Sequence, residues 1–126
     1  MTKPPKHILI IDDNEDMLTM LAIILRDKNY IVTARKSFDN FEKEITELAP
    51  GVVLIDKNLV WGDGCSLCKT IRTIPEMNGA TILVFSAYTI SAQECREAGA
   101  NACFEKPFGM TQFLQSIEPF LVLDSE

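Results

Sequence analysis

Two hydrophobic rhythms alternate along the chain. Short, unbroken apolar runs, Ile8–Ile11, Tyr30–Ala34, Val52–Ile55, Ala80–Phe85 and Ala102–Phe104, read as strands buried on both faces. Between them, apolar residues recur every three or four positions, the spacing of a helix with one buried face. Met17, Leu18, Leu21, Ala22, Ile24 and Leu25 predict a first helix from Asn14 or Glu15 to about Lys28, with Asn14 as its cap. Phe38, Phe41, Ile45 and Leu48 predict a second, ended by Pro50-Gly51. A loop with Trp61, Gly62 and Gly64 leads to a third over about Ser66–Ile74. Ser91–Ala98 predicts a fourth, stopped by Gly99, and Thr111 to about Leu121 a fifth that contains Pro119. Strict strand–helix alternation predicts an α/β fold: a doubly wound, five-stranded parallel sheet with helices on both faces. The common strand order for such a sheet is 2-1-3-4-5.

The length of 126 residues suits one domain spanning 1–126, with a core of about 6–122 between short tails. No apolar run reaches the ~20 residues of a membrane span, and the segment Met1–His7 has no leader-like apolar stretch. These features predict a cytoplasmic protein with four reduced cysteines and no membrane partner. A formal net charge of −6 argues against direct binding of nucleic acid, whose phosphates need basic surface. His7 is the only histidine, which excludes a zinc site built on a histidine pair; it reads as an edge or surface residue. Cys65 and Cys68 form a lone CxxC at helical spacing and read as packing residues.

The chemistry collects at the strand ends. Asp12 and Asp13 follow strand one, Asp56 follows strand three, Ser86 ends strand four, and Lys106 follows strand five. Taken singly, each is an ordinary turn or cap residue. In a doubly wound sheet all five share one edge, where ligands bind. Two carboxylates about 4 Å apart repel by about 4 kcal/mol at an effective dielectric of 20. Three carboxylates therefore call for a cation beyond one lysine, and all-oxygen ligands suit Mg²⁺. With a hydroxyl and a lysine beside it, such a pocket suits phosphoryl transfer, one aspartate acting as nucleophile.

The segments "ILIIDDNED", "VVLIDKNLVWGDGCSLCKTIR", "VFSA" and "GANACFEKPF", in this order and spacing, resemble the receiver domain of two-component response regulators over about Lys6 to Phe120. The resemblance implies the flavodoxin-like (βα)5 fold of single-domain chemotaxis regulators. It implies that Asp56 is the phosphoacceptor, served by a histidine kinase or a histidine phosphotransfer protein. Asp12, Asp13, Asp56 and the backbone carbonyl of Asn58 would bind Mg²⁺ or Mn²⁺. Ser86 and Lys106 would hold the phosphoryl group, and the bond before Pro107 would be cis. Output would pass by protein contact through the face of helix four, strand five and helix five, from a monomer or a weak phosphorylation-dependent dimer. Such a protein catalyses only its own aspartyl phosphorylation and dephosphorylation.

Three features depart from the family pattern. Leu59 and Val60 stand where many receivers carry Met-Pro. Cys103, with Phe104 next to it, stands where an aromatic switch residue is usual. Tyr88, two positions after Ser86, is placed to tune the phosphoryl lifetime by shielding it from water. The rivals are a receiver that is part of a larger regulator or hybrid kinase, a flavin binder, a phosphohydrolase using Asp56, and a phosphorylation-independent scaffold. The acidic loop after strand one repels the phosphate a flavin binder would need there.

Overall fold

The computed structural model describes residues 6–106 and 109–122. Five strands, β1 (His7–Ile11), β2 (Ile31–Arg35), β3 (Val52–Asp56), β4 (Thr81–Ser86) and β5 (Ala102–Glu105), form one parallel sheet in the order 2-1-3-4-5. Helices α1 (Glu15–Asp27), α2 (Phe41–Leu48), α3 (Gly64–Arg72), α4 (Ala92–Ala98) and α5 (Met110–Val122) cover it. Between β3 and α3, Asn58–Leu59 and Gly62–Asp63 pair as a small antiparallel hairpin that the hydrophobic pattern did not predict. Two residues per strand are too short to carry a periodicity.

Alternate residues of each strand feed opposite cores, which explains the unbroken apolar runs. Leu9, Ile11, Val53 and Ile55 pack with Ile45 of α2, Cys68 and Ile71 of α3 and Ala98 of α4. Ile8, Ile10, Val52 and Leu54 pack with Leu18, Leu21 and Leu25 of α1 and Phe113 and Ile117 of α5. Cys65 and Cys68 are both buried on α3, as packing residues should be.

The caps set the boundaries. Asn14 Oδ1 accepts from Met17 N at 3.0 Å and starts α1, as its position predicted. α2 starts three residues after Phe38, because Asn40 caps it; Phe38 instead packs edge-on against Phe41 and Trp61. It ends at Ala49, in the left-handed region at φ 44°, rather than at Pro50-Gly51. α3 begins at Gly64, not Ser66, since Asp63 accepts from Cys65 N and caps it there. Gly99, at φ 81°, closes α4 as expected. α5 continues past Pro119, with Ile117 and Leu121 buried on either side of it.

Two expectations need correction. His7 is not a surface residue: it is half-buried in β1. Its Nδ1 lies 3.1 Å from Leu48 O, and its Nε2 lies 2.7 Å from Thr33 Oγ1. A carbonyl only accepts, so Nδ1 carries a proton and donates it to Leu48 O, while Nε2 pairs with the threonine hydroxyl. Nor are all four cysteines free: Cys95 of α4 and Cys103 of β5 are paired as a disulfide. The fold brings them together where the sequence shows only a separation of eight residues. The bond before Pro107 lies outside the described residues.

Arg72, at the end of α3, went unremarked in the sequence and ties three segments together. It donates to Ala80 O, Gly99 O and Asn101 Oδ1, each at 2.8 Å. Asn101 Oδ1 also accepts from Ile82 N at 2.8 Å. Arg72→Met keeps most of the stem but strands these acceptors. We expect a loss of about 2–3 kcal/mol, read as a lower urea midpoint with an unchanged slope. A midpoint within error of the native one would refute this role.

Candidate functional site at the carboxyl edge of the sheet

β1 and β3 lie side by side at the point where the strand order reverses. The loops leaving them diverge to opposite faces and open a crevice. Asp12 and Asp13 enter it from β1, Asp56 from β3, Ser86 from β4 and Lys106 from β5. The structure brings Lys106 between Asp12 and Asp56 at this edge, sets Ser86 beside Asn58, and leaves Asp13 turned to Val60.

Asp12 is buried, and its Oδ1 accepts from Asn14 N at 2.9 Å. Lys106 Nζ reaches between two carboxylates, 3.4 Å from Asp12 Oδ2 and 3.8 Å from Asp56 Oδ2. Asp56 Oδ1 accepts from Asn58 N at 3.1 Å. Burial raises the pKa of Asp56, and Asp12 and Asp13 push the same way; the Asn58 N–H and the Lys106 ammonium oppose it and do not win. Asp56 is therefore a desolvated carboxylate that gains by acquiring another cation or a bond.

Ser86 is 1% exposed, and its hydroxyl both donates and accepts. Oγ donates to Asn58 Oδ1 at 3.1 Å and accepts from Tyr88 N at 3.0 Å. Asn58 Oδ1 also accepts from Ala87 N at 3.3 Å. The Asn58 side chain thus latches the end of β4 to the loop after Asp56, a role the sequence did not suggest. Tyr88 touches the site through its backbone, while its side chain is 73% exposed. Cys103 is half-buried, two positions before the end of β5, and opposite Val84 of β4.

Asp13 differs from the others. Its Oδ2 accepts from Val60 N at 2.6 Å. A proline at position 60, as in many receivers, has no N–H to give. The departure at Val60 therefore has a structural consequence: it ties the hairpin to the acidic loop of β1. Trp61 adds a second tie, its Nε1 donating to Lys36 O at 2.6 Å.

Gly64 is the other site residue that sequence reasoning passed over. A Cβ built on it would lie 2.5 Å from Asp56 O and 2.7 Å from Lys57 Cα. The start of α3 is thus pressed directly against the backbone of Asp56. A glycine directly after the Asp63 cap was the available signal, but many loop glycines look the same.

The donor chemistry fits Mg²⁺, which takes one or two carboxylates and keeps waters. Asp12 and Asp56 are the two carboxylates that could serve it, with Lys106 now bridging them. Among the described residues no group of three His, Cys, Asp or Glu side chains is already gathered as a metal cage. The expected joining of Asp13 to Asp12 and Asp56 would require its release from Val60.

An acidic edge of this kind, on a sheet of this order, is the architecture of a phosphoryl-accepting signalling module. The chain belongs to the response regulator receiver domain family, whose family model matches residues 8–118. It is 30% identical to the uncharacterized transcriptional regulatory protein YvcP of Bacillus subtilis over 91% of this chain and 48% of that protein. It is 26% identical to sporulation initiation phosphotransferase F of the same species, over 95% of this chain and 97% of that one. The chemotaxis response regulator CheY4 of Vibrio cholerae shares its fold, with a TM-score of 0.83 and 22% identity over 93% of this chain and 99% of that one. The chain spans 48%, 43% and 51% of the lengths of three of its curated relatives, about half of each. Receivers of this family accept a phosphoryl group in two-component signalling and generally bind Mg²⁺ at the phosphorylation site. They work with histidine kinases or phosphotransfer proteins and with downstream targets. Among the described residues no helix is long and apolar enough to cross a membrane.

Proposed function

We propose that this chain is a phosphorylation-dependent switch, residues 1–126 acting as one receiver domain, with Asp56 as its phosphoacceptor. The observation that carries this reading is the half-buried Asp56 carboxylate, its pKa raised by desolvation, facing Lys106 Nζ beside the Ser86–Asn58 latch. An oxygen of Asp56 attacks the phosphorus of a phosphohistidine on a kinase or phosphotransfer protein. The O–P bond forms, the P–N bond breaks, and the imidazole leaves with the electron pair and takes up a proton.

Asp12, Asp56 and the Asn58 carbonyl, joined by Asp13, would hold Mg²⁺ or Mn²⁺, which when bound offsets charge on the phosphoryl oxygens. The new group brings about −1.5 to −2 charge to this edge. Lys106 then turns from Asp12 to the phosphoryl oxygens. Ser86 donates to them instead of to Asn58, and the Ala87–Ile90 loop follows. The face of α4, β5 and α5 shifts its population toward a second packing and meets a protein target. The chain makes one aspartyl phosphate and loses it, and turns over no other substrate. It works in the cytoplasm through protein contacts, without nucleic acid or membrane, as a monomer or a weak phosphorylation-dependent dimer. The match to only half of each longer relative favours a second arrangement, a receiver joined to an output segment.

The test is an intact-mass spectrum after incubation with acetyl phosphate and Mg²⁺. One phosphoryl adduct that disappears on chelation supports the reading. No adduct, with beryllofluoride also failing to bind, would leave a phosphorylation-independent scaffold.

Tyr88 gives a further prediction. Its exposed ring is free to fold over the phosphorylated edge once the Ala87–Ile90 loop moves. Tyr88→Ala should then shorten the aspartyl phosphate lifetime severalfold, measured as phosphate release. An unchanged lifetime would mean that the ring shields nothing.

A further inference from the structure

The four cysteines fall into two chemically different pairs. Cys65 and Cys68 are buried on α3, and burial pushes both thiols up, Cys68 to about 11. They are protonated and shielded, hence unreactive. Cys95 and Cys103 are only partly buried, unlike Cys65 and Cys68. They join two different elements, α4 and β5, at a Cα–Cα distance of 6.1 Å. That separation lies within the span of roughly 4.4–6.8 Å that a disulfide bridges without moving the backbone.

The position of this pair matters more than its existence. Cys103 lies opposite Val84, two residues before Ser86 on β4, and three residues before Lys106 on its own chain. Cys95 sits in the middle of α4, a helix of only seven residues with Ala98 as its one buried side chain. α4 is otherwise held by modest contacts, among them the 3.5 Å pair of Lys57 with Glu94. The Ala87–Ile90 loop runs between Ser86 and α4, with Thr89 Oγ1 donating to Glu105 Oε1 of β5 at 2.7 Å. A covalent link between α4 and β5 fixes the far end of this loop.

We propose that Cys95 and Cys103 form a reversible dithiol–disulfide site, oxidised by low-molecular-weight disulfides such as glutathione disulfide, which clamps α4 to β5. One cysteine thiolate attacks a sulfur of the reagent. A mixed disulfide forms and one small thiolate leaves. The second cysteine thiolate attacks the protein-side sulfur, the Cys95–Cys103 bond forms, and a second small thiolate leaves. Two electrons pass from the protein to the reagent, and the two cysteine protons end on the two released thiols. In a reducing compartment such a disulfide is transient, as a signal should be. The clamp does not depend on phosphorylation; its consequence, a restrained output face, rests on the receiver reading above.

The experiment equilibrates the intact protein in buffers from fully reduced to fully oxidised glutathione. Intact mass, alkylation of free thiols and hydrogen exchange of the α4 amides are then read on one sample. Oxidation is expected to remove two hydrogens and two alkylatable thiols, with Cys95 and Cys103 linked in the peptide map. The α4 amides should exchange about tenfold or more slowly in the oxidised form. Cys95→Ser and Cys103→Ser should each abolish both changes while keeping a native melt. The same number of alkylatable thiols at every ratio, a stable mixed adduct only, or equal α4 exchange in the two forms would each overturn the clamp. Acetyl phosphate labelling of both forms separates the two ideas. No phosphoryl adduct in either redox state defeats the receiver reading and leaves the clamp standing, whereas an adduct with redox-independent α4 exchange does the reverse.

Discussion

Asp56→Asn is expected to take up no phosphoryl group under conditions that label the native protein, and at the same time to be more stable at neutral pH. The first outcome follows from replacing the nucleophilic oxygen with an amide. The second follows from the electrostatics of the edge. Burial and the neighbouring Asp12 and Asp13 hold the folded-state pKa of Asp56 above its ordinary value. Folding therefore favours the protonated acid, and ionising it costs stability. That cost is absent below the ordinary aspartate range, grows as pH rises through the raised pKa, and is complete above it.

Asparagine keeps the shape, retains an acceptor for Asn58 N, and never ionises. The variant should gain stability at pH 7, read as a higher Tm, and the gain should vanish as pH falls below the ordinary range. A thermal melt series from about pH 3 to about pH 8 gives the sign directly. A lower Tm for the variant at pH 7 would mean that the Lys106 contact at 3.8 Å outweighs desolvation. Labelling of the native protein should also decline at a higher pH than an unshifted aspartate would give, since the carboxylate is the nucleophile.

Gly64→Ala should damage both stability and labelling, although position 64 bears no chemistry. Its Cβ would sit 2.5 Å from Asp56 O and 2.7 Å from Lys57 Cα, and both obstacles are backbone. No rotamer relieves such a clash. The start of α3 must move away from the end of β3, stretching the bond from Gly64 N to Lys57 O, now 2.8 Å. Overpacking of this kind costs about 1–3 kcal/mol, and rigid neighbours place it toward the upper end.

The same displacement shifts Asp56 relative to Lys106 and the Ser86–Asn58 latch. A misplacement near 1 Å is enough to lower a rate by about a hundredfold, so the labelling rate should fall by at least about tenfold. Gly62→Ala is the control, because nothing lies within 4 Å of a Cβ there. It should stay within about 0.5 kcal/mol of native and label normally. If the two variants behave alike in urea and in labelling, the close approach at Gly64 does not govern the site.

Much of the fold was legible because its signals are local. An apolar run buried on both faces needs no partner to be recognised, and Asn14, Ser91 and Gly99 mark helix ends through bonds made within a few residues. The errors lie where two local signals compete. The third helix was expected from about Ser66, but Asp63 caps it through Cys65 N and starts it at Gly64. Pro50-Gly51 is a strong breaker, but Ala49 has already turned left-handed. His7 looked peripheral because its partners, Leu48 and Thr33, are 41 and 26 residues away.

The sequence by itself determined which residue types reach the carboxyl edge, because strand–helix alternation and a right-handed crossover leave few alternatives for where a strand end can point. Asp12, Asp13, Asp56, Ser86 and Lys106 were identifiable for that reason alone. Only the tertiary structure decided how those groups are engaged: Lys106 between Asp12 and Asp56, Asp13 held by Val60, Ser86 latched to Asn58, Gly64 pressed on the backbone of Asp56, and Cys95 against Cys103. Each of these joins residues from different elements at distances of a few ångströms. Periodicity constrains a position along one element. It carries no information about the small displacements between elements on which hydrogen bonds, clashes and disulfides depend.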